Sequence, residues 1–320
     1  MDRVPLIAAV LLIAIVRSGA ADEAAGRDAT WLTKLRRSQE AVEWSDVIVR
    51  HDWRIQVRPR DGRCRILDSR DAFVRQGSLE ECHAAFAALE AEGTIPPMAG
   101  PAVIVLHGLG EGRSSMRPIA DHLRKTLDAT VLLFGYASTA ATIEAHGRSL
   151  DTVVGGLPRT ARISFVGHSL GNLVVRRWMS LADEGDLARV DRMVMLGPPN
   201  RGSDLARQVG GVGVLAALAD GAARDLVVDW PQVEPHLAVP PCEFGIVAGG
   251  RGDGSGFSPL LDGDDDAVVR VEETRLDGAG DFLLVPVHHA AMISDQRVKR
   301  ATESFLKSGR FVADHDEVGR

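Results

Sequence analysis

"RISFVGHSLGNLVVRR", Arg162 to Arg177, decides how the chain is read. An apolar, β-branched run ends in Gly167-His168-Ser169-Leu170-Gly171, and a helical pattern begins at once. So short a handover from strand to helix needs a sharp turn. Its central residue is forced out of the favoured backbone regions, and its flanks must be small. Glycine stands at both flanks. The apical side chain is then held out from the strand end, near the positive end of the following helix. Ser169 is therefore a candidate nucleophile. The alternative is one polar residue in an ordinary turn, and five residues alone do not choose between the two.

Working outward, the same alternation recurs. "AVIVLHG" (102–108), "ATVLLFGYA" (129–137), "VDRMVMLGPP" (190–199), "CEFGIVAGG" (242–250) and "DFLLVPVHH" (281–289) are apolar runs suited to strands buried on both faces. Helical stretches lie at 115–127, 142–156, 170–184 and 295–307. Strands alternating with helices predict an α/β fold, with a mostly parallel sheet and helices on both faces, over residues 101–320. Residues 203–240 interrupt the alternation with Gly- and Ala-rich helical pieces. They are expected to form a helical cap insertion over one edge of the sheet, or else a plain surface insertion.

Residues 22–100 read as a small N-terminal α+β unit and linker. Its start, 22–45, is polar and partly helical in pattern. "DWRIQVRP" and "GRCRIL" suit strands, and "GSLEECHAAFAALEAEG" is a helix. Ser78 and Glu81 have the spacing of a capping box, and Gly93 is placed to end the helix. "TIPPMAGP" then reads as a linker. Residues 1–21 hold Arg3, an apolar run from Val4 to Val16 and small residues near Ala20 and Ala21. The run is short for a membrane span and reads as a cleaved signal peptide, with an uncleaved anchor as the alternative. The expected location is therefore outside the cytoplasm, secreted or periplasmic. In such a compartment Cys64 and Cys82 are expected to pair and staple the small unit.

The 320 residues carry a formal net charge of −7, and aromatic residues make up only 5%. Both argue against nucleic acid as a partner, because phosphate contact needs positive charge and single strands need stacking surfaces.

A nucleophile needs an oxyanion site, a base and an acid. "VIVLHGLGEGRSSM" ends a strand in a turn poor in side chains. Its Leu109 N–H and the N–H of Leu170, after the candidate nucleophile, are the expected oxyanion donors. His288 and His289 follow the last strand. His289 is the chosen base, because it lies just beyond the strand, where a loop can carry it to the sheet edge. "LLDGDDDAVVRVEE" supplies the acid. Asp266 is preferred, and Asp265 competes with it. His168 is read as structural, and His51, His83, His122, His146, His236 and His315 as structural or surface.

The acidic loop has a rival reading. Asp262, Asp264, Asp266 and Glu273 follow the spacing of a calcium loop. Ala267 stands where such a loop needs glycine, and "VVRVEETRL" is strand-like rather than helical. That argues against an EF-hand and leaves a looser calcium site open. No zinc-type Cys/His spacing occurs.

Together, "VIVLHGLG", "FVGHSLGN", "MLGPPNRGS", "GDDDAVVRVEETRL" and "VPVHHAAM" resemble the α/β-hydrolase superfamily, and within it bacterial triacylglycerol lipases and esterases. The resemblance runs from Pro101 to the C-terminus. It implies the α/β-hydrolase fold and a triad in the order Ser169, Asp266, His289, because the family's acid falls on Asp266. It also implies acyl transfer to water from a carboxylic ester, without a cofactor. The apolar insertion points to substrates with apolar acyl chains, and it leaves association with a lipid surface open. An acyltransferase or thioesterase on the same scaffold, or a non-catalytic exported binding protein, are the alternatives.

Overall fold

A computed structural model describes residues 43–210 and 221–311. The expected signal peptide, most of the expected lead-in and the middle of the expected cap lie outside the described residues.

The described chain opens with an antiparallel sheet in the order β1 (Ser45–Arg50), β2 (Trp53–Val57), β3 (Cys64–Leu67), β4 (Phe73–Gly77). β1 begins inside the stretch expected to be partly helical, and β4 was not foreseen. Its residues are mostly exposed, so no apolar alternation marks it. Helix α1 (Leu79–Ala91) covers one face of this sheet. Ser78 and Glu81 form the reciprocal capping box, and Gly93, at φ 76°, follows the helix end. The shared core is Ile55, Cys64, Ile66, Cys82, Phe86 and Ile95. Cys64 and Cys82, expected to pair, are buried free thiols here, and burial pushes the Cys64 thiol up. Ile95 belongs to this core, so the segment read as a linker is partly structural.

The larger sheet has six strands: β5 (Ala102–Leu106), β6 (Thr130–Phe134), β7 (Ile163–His168), β8 (Val190–Leu196), β9 (Glu243–Gly249) and β10 (Asp281–Val285). Their order is β10-β9-β8-β7-β5-β6, and every pairing is parallel. Helices α2 (Arg117–Thr126), α3 (Ile143–Gly155), α4 (Leu170–Met179) and the short α5 (Glu184–Leu187) link the first four strands. The segment between β8 and β9 carries α6 (Asp204–Gly210), α7 (Gly221–Val227) and α8 (Trp230–Val233). A helical turn, α9 (Val271–Thr274), stands where the sequence pattern suggested a strand. Its Glu273 accepts the Arg270 and Asp204 N–H groups, so side-chain capping wins over β-propensity. The last helix is α10 (Gln296–Ser308).

Both faces of this sheet are buried, which explains its continuous apolar strands. One face packs residues such as Phe165, Trp178 and Leu150, and the other packs Leu123, Val298 and Phe305. The small sheet docks beyond β6. Asp46 N–H donates to Gly135 O at 2.8 Å, and Gly135 N–H returns a bond to the Asp46 carboxylate at 2.7 Å. Arg54 pairs with Asp46 at 3.0 Å and donates to Leu133 O, all out of water. Removing Arg54 would leave the Asp46 carboxylate buried without its cation, at a cost of about 3–5 kcal/mol.

Candidate active site

Ser169 sits between β7 and α4 with φ 51° and ψ −119°, a conformation a side-chain-bearing residue rarely adopts. Its neighbours hold it there. Ser169 N–H donates to Leu196 O at 2.9 Å, and Asn172 donates through its backbone and side-chain nitrogens to Ser169 O. The flanking glycines are required by close approach. A β-carbon at Gly167 would lie 2.8 Å from the Asn172 nitrogen, and one at Gly171 would lie 2.8 Å from Leu106 O.

The turn after β5 lies against this elbow. A β-carbon at Gly108 would be 3.3 Å from the Ser169 β-carbon. Gly108 N–H donates to Glu111 Oε2 at 3.1 Å and Gly110 N–H to Ser138 Oγ at 3.2 Å. The Leu109 N–H between them donates to no acceptor among the described residues. Leu170 is the first residue of α4, so its N–H has no intrahelical acceptor. The turn is backed by His107, whose Nδ1 donates to Gly108 O at 2.9 Å while its Nε2 faces the Tyr136 N–H at 3.4 Å. Burial lowers the pKa of His107. Tyr136 stacks on this ring and donates its hydroxyl to His107 O.

His289 opens a 3₁₀ turn (His289–Ser294) beyond β10 and is buried. Its Nδ1 is 2.6 Å from Asp266 Oδ2, and its backbone N–H donates to Asp266 O at 2.8 Å. Burial alone would lower the His289 pKa, but the Asp266 charge and hydrogen bond outweigh it, and the net shift is upward. Gly197, just after the residue that holds Ser169 N–H, leaves room for this pair. A β-carbon there would be 3.1 Å from the imidazole. His289 Nε2 makes no hydrogen bond among the described residues.

The two competing acids separate cleanly. Asp266 Oδ1 accepts the Val268 and Val269 N–H groups at 3.0 and 2.8 Å, leaving Oδ2 for the imidazole. Asp265 Oδ1 accepts N–H groups of Phe257, Ser258 and Ala267, and does not reach His289. Asp264 is occupied by the Arg251 and Gly252 N–H groups. Among the described residues no cluster of three His, Cys, Asp or Glu is arranged to hold a metal ion. His288 is exposed and packs against Phe257 with the rings tilted and their centroids 4.0 Å apart.

The structure thus brings Asp266 to His289, and the His289 loop and Leu109 turn to the elbow of Ser169. Sequence reading missed Glu111. Its side chain is 9% exposed and faces both the Leu109 turn and His168. A charged residue between glycines carries no periodic sign of burial.

Comparison with known proteins agrees with this fold. A family described as "Putative serine esterase (DUF676)" matches residues 102–195, the stretch from β5 through the elbow to β8. No curated protein matches the chain in sequence. Among solved structures, the mature form of Bacillus licheniformis lipase BlEst2 is similar at 18% identity and a TM-score of 0.51. That match covers 67% of this chain and 94% of the lipase. The propeptide form of that lipase matches at 16% identity and a TM-score of 0.53, over 70% of this chain and 53% of the lipase. Phospholipase PlaB from Legionella pneumophila matches at 19% identity and a TM-score of 0.50, over 64% of this chain and 57% of its own. With its parallel sheet and its elbow, the chain has the α/β-hydrolase fold, and residues 102–195 are similar to a family of putative serine esterases.

Proposed function

We propose that this chain hydrolyses carboxylic esters with apolar acyl groups, through Ser169, His289 and Asp266. The observation that carries the reading is the 2.6 Å Asp266–His289 contact on a loop packed against a strained Ser169 elbow. In this reading His289 Nε2 takes the Ser169 proton as Oγ attacks the ester carbonyl. The Leu109 and Leu170 N–H groups receive the developing oxyanion. The tetrahedral centre collapses, the alcohol leaves with the proton from His289, and an acyl-serine remains. Water then attacks by the same route and restores Ser169. Asp266 fixes the tautomer that leaves Nε2 free and stabilises the imidazolium. Protons and electron pairs balance among these groups and water, so the step needs no cofactor.

Support for an apolar acyl group comes from the surroundings. Leu170 shares a buried cluster with Ala222, Leu226 and Trp230 of the inserted segment, and Leu109 packs against it. A lipase and a phospholipase share the fold, which is consistent with lipid esters.

The test is covalent labelling with a fluorophosphonate and hydrolysis of a p-nitrophenyl acyl ester, with Ser169→Ala as control. One adduct on Ser169 and loss of both signals in the variant are expected. A folded wild type that takes no label, or equal labelling of the variant, overturns the reading. The same proposal includes export directed by residues 1–21. Mature protein should begin near Ala21 or Asp22, and a start at Met1 overturns cleavage.

A further inference from the structure

A second buried carboxylate faces an imidazole behind the elbow, and the mechanism above leaves it unused. Glu111 follows the Leu109 turn. Its Oε2 accepts the Gly108 N–H at 3.1 Å and the Ser115 hydroxyl at 2.9 Å, and lies 3.5 Å from His168 Nδ1. On the far side of the His168 ring, Nε2 is 3.2 Å from His289 O. A carbonyl oxygen only accepts, so Nε2 must carry a proton. His168 Nδ1 has no hydrogen-bond partner, and it faces a carboxylate. An unprotonated Nδ1 would set its lone pair against that negative charge. A protonated one converts the contact into attraction and offsets the cost of burying the carboxylate.

We propose that Glu111 and a doubly protonated His168 form an ion pair that positions the Leu109 turn against Ser169 and the His289 loop. This inference rests on the hydrolase reading and adds positioning residues to it. Glu111 fixes the turn through the N–H next to that of Leu109. His168 carries the constraint under the nucleophile to the backbone of the base. A β-carbon at Gly108 would be 3.2 Å from His168 Nδ1, 3.3 Å from the Ser169 β-carbon and 3.4 Å from Glu111 Oε2. Gly108 therefore sits where the three meet, and a small shift of the carboxylate would move the turn.

The titratable groups facing the pair are few. The His289 ring centroid is 4.7 Å from that of His168, with Asp266 behind it, and His107 closes the strand end. Burial alone would push the Glu111 carboxyl up. The facing His168 ring, then the Gly108 N–H, outweigh it and hold the carboxyl well below its usual range.

The test uses the full-length protein with ¹⁵N-labelled histidine. At pH 7.5 both His168 nitrogens should show protonated-type shifts, assigned by their absence in His168→Gln. A wild-type His168 with one bare nitrogen overturns the proposal, and this measurement needs no folded Glu111 variant. Glu111→Gln keeps an acceptor for Gly108 N–H but not the charge. It should lower kcat about 10–100-fold, less than the loss of an oxyanion donor itself, and leave KM within about threefold. The double variant Glu111→Gln/His168→Gln should be no slower than the worse single one, because the pair acts as a unit. Wild-type kcat in folded Glu111→Gln, or losses that multiply in the double variant, would sink the pair. If Ser169→Ala is inactive while Glu111→Gln is fully active, the hydrolase reading stands and only this inference falls.

Discussion

Two carboxylate–imidazole contacts flank Ser169, and the backbone assigns them different work. Asp266 meets His289 Nδ1 at 2.6 Å, while Glu111 lies 3.5 Å from His168 Nδ1. The other ring nitrogen separates them. His168 spends Nε2 on the His289 carbonyl, whereas His289 Nε2 makes no hydrogen bond among the described residues. His168 sits on the strand before the apex, and His289 opens a turn beyond the last strand. A carboxylate beside an imidazole does not by itself make a base. The ring must also present a free nitrogen where the nucleophile stands.

The sharpest way to break this contrast is to remove charge from the first contact. Asp266→Asn should cut kcat by about 10³–10⁴-fold, through loss of the correct tautomer and of imidazolium stabilisation. Asp265→Asn should cost far less, about tenfold, because Asp265 only organises backbone N–H groups of the loop. Steady-state rates of the two folded variants decide between them, and a larger loss at Asp265 overturns the choice of acid.

A pH profile sharpens the same contrast. His289 must be neutral to accept a proton, and Asp266 raises its pKa. The acid limb of kcat/KM should therefore lie above the pH of an ordinary imidazole, with activity falling as pH drops through it. In Asp266→Asn the residual activity should have its acid limb at lower pH. A limb that stays in place, or moves up, would show that another group controls it.

The elbow that both contacts serve offers a smaller effect. Gly171→Ala drives a methyl group toward Leu106 O, which is backbone and cannot turn aside. Overpacking of this kind costs about 1–3 kcal/mol, so the variant should melt earlier and label more slowly with fluorophosphonate. An unchanged melting curve would mean that the elbow tolerates separation from β5.

These contrasts also show what the chain displayed as a sequence. The parallel sheet was legible because strands buried on both faces need continuous apolar runs. Ser169 was legible because its turn is local and needs glycine on both sides. Asp266 was distinguished from Asp265 only through the resemblance and its place before "AVV". In the structure, the two separate by which backbone N–H groups each oxygen receives, which no spacing reveals. The Glu111–His168 contact was hidden because its partners are far apart in the chain and meet only when β5 and β7 pair. β4 was hidden because its exposed residues form an edge without apolar alternation. Helix α9 was misread as strand because Glu273, not propensity, sets its start.

Ala267 provides the finest test of how the acid loop differs from the elbow. Both regions hold a non-glycine residue at positive φ, Ser169 at 51° and Ala267 at 82°. At Ser169 the proposed reaction gives the side chain a use, which accounts for strain retained there. At Ala267 the methyl group has no such use, and the N–H donates to Asp265 Oδ1 at 2.7 Å whatever the side chain. Glycine adopts this conformation without steric penalty, at the cost of more freedom in the unfolded chain. The left-handed penalty for alanine, about 1–2 kcal/mol, exceeds that entropic loss of about 0.4–1 kcal/mol. Ala267→Gly should therefore stabilise the protein by about 0.5–1 kcal/mol, raising the melting temperature slightly, with kcat and the acid limb unchanged. A lower melting temperature would mean that the alanine methyl group packs usefully. Altered kcat would mean that the bend at residue 267 helps to aim Asp266 at His289.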